Sequence, residues 1–102
     1  MRTKDKIIES IVTILSQEEN IEKILFLGDD PIENELYDVA LIIFEKDSPN
    51  YFISQFHYEA LLKEIKQNII FNILPVNSSQ AEISLNQRLK DALCIYQKKE
   101  TA

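Results

Sequence analysis

Six consecutive apolar residues, Val39-Ala40-Leu41-Ile42-Ile43-Phe44, constrain this chain more than any other feature. A run without polar alternation, rich in β-branched and aromatic side chains, reads as a strand covered on both faces. The flanking segments supply the candidates for that cover. From Thr3 to Gln17, Ile7, Ile8, Ile11, Val12, Ile14 and Leu15 recur at helical spacing, opposite Lys6, Glu9, Ser10 and Thr13. From Tyr51 to Gln67, Phe52, Phe56, Ala60, Leu61 and Ile65 do the same, with Asn68 as the stop.

Two further short apolar runs read as strands: Ile24-Leu25-Phe26-Leu27, closed by Gly28, and Ile69 to Leu74, closed by Pro75. The chain has one glycine and three prolines, so each breaker carries positional meaning. Asp30-Pro31-Ile32-Glu33 has the grammar of a short helix start, with a capping Asp and a Pro at the first turn. Gln17 to Asn20, Glu45 to Asn50 and Asn77-Ser78-Ser79 read as connections. Ser84-Leu85-Asn86-Gln87 resembles a capping box, opening a last helix with Leu85, Leu89, Ala92, Leu93 and Tyr96 on its apolar face. The tail from Lys98 is expected to fray.

Helices and strands that alternate in this way predict a layered α/β domain, a small mixed sheet packed with helices. The link between the first two strands is too short for a parallel crossover, which takes a dozen or more residues. Those strands are expected to be antiparallel or splayed. At 102 residues, 1–102 is read as a single domain.

Composition excludes several classes. A net charge of −6 repels polyphosphate, so no nucleic-acid partner is expected. No apolar run approaches the roughly 20 residues that span a bilayer, and no signal-like core follows the charged start. A cytoplasmic protein without a membrane partner is expected. A single cysteine, Cys94, allows neither an internal disulfide nor a multi-cysteine zinc site, and reads as a buried thiol. His57 has no second His and reads as a helix residue rather than a ligand.

In order and context the chain resembles the minimal nucleotidyltransferases, the MNT group of the DNA polymerase β superfamily. Leu25-Phe26-Leu27-Gly28-Asp29 stands where that family has its Gly-Ser turn. Tyr37-Asp38-Val39-Ala40-Leu41-Ile42 stands where it has Ser-Asp-x-Asp-Leu-Leu. Phe71-Asn72-Ile73-Leu74-Pro75-Val76-Asn77 is similar to the strand bearing its third Asp, and Ile95-Tyr96 to its closing Leu-Tyr pair. The likeness covers nearly the whole chain and implies a nucleotidyltransferase-like fold.

The resemblance also marks departures. In this family two Mg²⁺ ions, held by carboxylates, clamp the attacking and leaving oxygens. An Asp-x-Asp pair serves because strand residues i and i+2 point the same way. Here Asp38 has Ala40 as its partner, and Asn72 stands in the third position. Asp29-Asp30 replaces the phosphate turn's hydroxyl, and two carboxylates repel a triphosphate. Gly28, Asp29, Asp30, Asp38 and Asn72 are thus expected to form a remnant nucleotide or metal site, with Asp38 as the remaining metal ligand.

No catalysis and no cofactor are expected, with Mg²⁺ only if the chain is active through an unorthodox set of Asp29, Asp30 and Asp38. The family's frequent pairing as an antitoxin with all-helical HEPN proteins implies a binding module beside such a partner. A homo-oligomer is the other assembly, and Ile53, Leu62 and Ile95 would suit either one or the core.

Overall fold

The computed structural model describes residues 4–32, 34–46, 51–65, 69–77 and 92–98. Among the described residues, two helices and four strands follow in the order α1 (Lys4–Leu15), β1 (Ile21–Leu27), β2 (Tyr37–Glu45), α2 (Tyr51–Leu62), β3 (Ile69–Asn77) and β4 (Leu93–Gln97). The strands form one mixed sheet in the order β3-β2-β1-β4. β1 is antiparallel to both β2 and β4, whereas β2 and β3 are parallel across the α2 crossover. The apolar run of β2 therefore occupies an inner position, as its composition requires.

Alternate residues of β2 serve different faces. Tyr37, Val39, Leu41 and Ile43 join Ile7, Ile11 and Leu15 of α1 and Tyr58 and Leu62 of α2 in the main core. Burying an Ile or Leu of this kind contributes about 1.5–3 kcal/mol. Ile42 and Phe44 turn the other way and pack with Leu25 in a smaller cluster, against Leu27, Val76 and Ala92. Asp38 and Ala40 share the parity of Ile42, which places them on this second face.

Several expectations need correction. No helix starts at Asp30-Pro31: among the described residues this segment is irregular, with a turn closed by Glu35 N–H donating to Ile32 C=O at 3.1 Å. Asn34 takes a left-handed φ of 67° there, which Asn tolerates better than most residues. β3 runs through Pro75 to Asn77, since an edge strand accepts a residue without an N–H. Leu93 to Gln97, expected in a helix, is strand β4, because β1 offers it an open edge of backbone donors and acceptors. Cys94 lies on that edge strand and is exposed. Lys98 does not fray: its N–H donates to Glu22 C=O at 2.7 Å and its Nζ to Glu19 C=O at 3.0 Å. The Ser84–Gln87 capping box and Ser78-Ser79 lie outside the described residues.

α2 also faces differently from the stripe expected of it. Ser54, Tyr58 and Leu62 point to the core, at spacings of four, while Phe52, Phe56 and Ala60 are exposed. The helix ends at Leu62 rather than Gln67, and Ile65 tucks into the core just beyond it. Of the three flanking residues, Leu62 is core, Ile95 packs against the core and Ile53 is exposed.

Candidate functional site

The antiparallel register of β1 and β2 ends at Leu27↔Ala40. Gly28-Asp29-Asp30 therefore leaves the sheet beside the first half of β2, where Asp38 lies. On the other side of β2 the parallel register pairs Asp38 with Ile70 and Ala40 with Asn72. All five expected site residues are thus brought to one end of the sheet. Asp29, Asp30, Asp38 and Asn72 are exposed, and Gly28 is half-buried.

Space around Gly28 is tight, and its backbone conformation is one that other residues adopt. A Cβ built on it would stand 3.2 Å from the Phe26 ring and 3.2 Å from the Tyr37 hydroxyl oxygen. Tyr37 is the residue that sequence reasoning passed over here. Its hydroxyl is buried and has no hydrogen-bond partner among the described residues. Burial, followed by the negative charges of Asp30 and Asp29, pushes its pKa above the ordinary phenol value. The two aspartates therefore make this end of the sheet anionic. The only sequence signal for Tyr37 was its odd-numbered parity with Val39, Leu41 and Ile43.

The register sharpens the meaning of the substitutions. Ala40 and Asn72 are direct cross-strand neighbours on one face, with Asp38 two residues from Ala40 on the same face. A metal at this point would find one carboxylate, one amide oxygen and one methyl group. Among the described residues, no group of three or more His, Cys, Asp and Glu side chains is placed to hold a metal ion.

A second polar cluster lies at the far end of β2, where sequence reasoning had placed a loop. Glu45 continues the core-facing parity of the strand and is only 2% exposed. Its Oε2 accepts hydrogen bonds from Tyr58 Oη at 2.6 Å and from Asn20 Nδ2 at 3.2 Å. Its Oε1 is buried with no partner among the described residues. Burial, the bond to Glu45, and the charges of Glu45 and Glu18 push the Tyr58 hydroxyl far above the ordinary phenol pKa. His57 of α2 pairs with Glu18 at the rim. Seven residues of strand at about 3.3 Å each separate Glu45 from Asp38 by about 23 Å.

A presumed nucleotidyltransferase from Sulfolobus solfataricus has a similar solved structure, with a TM-score of 0.54 and 17% identity over 91% of this chain and 79% of that one. At that identity the likeness speaks for the fold alone: this is a small α/β domain with a nucleotidyltransferase-like fold, whose described residues form a four-stranded mixed sheet packed with two helices. No family model matches the sequence. No curated protein matches it either. No helix among the described residues is long and apolar enough to cross a membrane.

Proposed function

We propose that this chain is a nucleotidyltransferase-like domain of the minimal type that has lost catalysis and works as a binding or antitoxin module beside a helical, HEPN-type protein. One observation carries the reading. The strand positions that would present the second and third carboxylates hold Ala40 and Asn72, side by side in register. A two-metal clamp needs several anionic oxygens converging on both ions. Asp38 alone offers a carboxylate on those strand positions, so the donor set does not fit a pair of Mg²⁺ ions. The nearby Asp29 and Asp30 add charge that opposes a triphosphate.

Calorimetric titration of ATP with Mg²⁺ into the protein tests the reading. The expected outcome is no binding heat above dilution. Saturable binding followed by transfer of a nucleotidyl group to a protein acceptor would sink it.

The second reading, a metal-dependent transferase using Asp29, Asp30 and Asp38, draws on the gathering of those three residues at one end of the sheet. It requires Mg²⁺ to raise the thermal midpoint, and Asp38→Asn to abolish that rise. A self-associating structural domain is the remaining alternative, and it requires a dimer that persists on dilution.

A further inference from the structure

We infer that the outer face of α2 and the acidic pocket beside it form one docking surface for a basic amphipathic segment of a partner protein. The inference rests on the reading of this chain as a binding module and names the surface that would do the binding. Phe52, Ile53 and Phe56 are 74%, 66% and 76% exposed. With His57 they line a shallow apolar pocket of about 450 Å³. Three large apolar side chains exposed together on one helix mark an interaction face rather than the scattered exposure that any surface shows.

Ile53 and His57 also line the neighbouring pocket of about 540 Å³, so the two hollows share a wall. Its other walls include Glu18, Glu19, Asn20, Glu45, Ser54 and Tyr58. Three carboxylates thus surround a hollow whose one imidazole is engaged with Glu18. Glu45 is nearly fully buried, and its Oε1 has neither solvent nor a hydrogen-bond partner among the described residues. A buried carboxylate oxygen left unpaired is costly. Solvent does not reach that oxygen, so a docked ammonium or guanidinium group meets instead the exposed Glu19 carboxylate, beside Lys98, whose Nζ already donates to Glu19 C=O at 3.0 Å.

Charge selects the occupant. A second copy would bring the same acidic patch against itself across a two-fold axis. Nucleic acid would bring phosphates against the same carboxylates. A partner helix with apolar residues on one side and a Lys or Arg beside them satisfies both halves of the surface, since helical spacing presents such residues on one face.

The test uses a fluorescein-labelled Leu/Lys amphipathic peptide of about four helical turns, titrated into the whole protein at near-physiological salt and read by anisotropy. Saturable binding is expected, weakened about tenfold or more by Phe56→Asp or Phe52→Asp. Glu19→Gln should weaken it, while Glu9→Gln on the exposed side of α1 should leave it unchanged. Absence of saturable binding, equal loss with Glu9→Gln and Glu19→Gln, or full affinity in both Phe→Asp variants would overturn the inference.

Light scattering on the wild-type chain provides an independent check. A dimer that Phe56→Asp converts to monomer would assign this face to a second copy and also overturn the inference. The nucleotide titration is separate: transferase activity would remove the binding-module reading without altering the peptide result.

Discussion

The hydroxyl of Tyr58 donates to Glu45 Oε2 at 2.6 Å, joining the core face of α2 to the last residue of β2. The bond lies on the same side of α2 as buried Ser54 and Leu62 and ties that side to the sheet. Tyr58→Phe removes the donor and leaves Asn20 as the side chain seen to satisfy Glu45. The expected loss is about 1–3 kcal/mol, from a buried acceptor deprived of a partner. Urea unfolding with an unchanged slope and a lowered midpoint would show it.

The same hydroxyl makes stability depend on alkaline pH. Its folded pKa is raised above the ordinary 10.0, as is that of Tyr37. The folded state therefore keeps its phenol protons where the unfolded chain releases them. Stability from this source is fully present below about pH 10 and falls as pH rises beyond it, by up to about 1.4 kcal/mol per unit for each group. Tyr58→Phe should make that decline shallower. An equally steep decline in the variant would count against the assignment.

Gly28→Ala tests the close approach at the first turn. The new methyl meets the Phe26 ring and the Tyr37 hydroxyl at 3.2 Å. The expected destabilisation is about 1–3 kcal/mol, as for an overpacked core. A thermal midpoint equal to that of the wild type would mean that the ring and the hydroxyl move aside freely.

The orientation of α2 gives a contrast between two substitutions on one helix. Leu62→Ala should cost about 2–5 kcal/mol, because Leu62 is fully buried. Phe56→Ser should change stability by no more than about 0.5 kcal/mol, because its ring is exposed. Urea midpoints of the two variants decide it, and similar losses would contradict this orientation.

Rebuilding the missing carboxylates tests the remnant site. Ala40 and Asn72 are register partners, so Ala40→Asp with Asn72→Asp sets two new carboxylates near Asp38. The metal-free double variant should be less stable than the wild type through like-charge repulsion. Mg²⁺ should restore its thermal midpoint while leaving the wild type unmoved. A double variant indifferent to Mg²⁺ would show that this end of the sheet no longer has metal-site geometry.

The sequence alone determined the elements whose pattern admits one solution. The unbroken apolar run marks β2 as an inner strand, the stripe of α1 has one apolar side, and the short link between β1 and β2 excludes a parallel crossover; that α1 and α2 both pack on the odd-numbered face of β2 was not legible. The resemblance marked Gly28, Asp38, Ala40 and Asn72, and the register sets Asp38, Ala40 and Asn72 at one end of the sheet.

Tertiary contacts decided the rest. α2 carries apolar residues on more than one side, so its own spacing cannot choose between Phe52-Phe56-Ala60 and Ser54-Tyr58-Leu62. The bond from Tyr58 to buried Glu45 favours the second set. Leu93 to Tyr96 is too short an apolar run to separate strand from helix by periodicity. The open edge of β1 made it a strand, because backbone groups at that edge need partners that a helix would keep for itself.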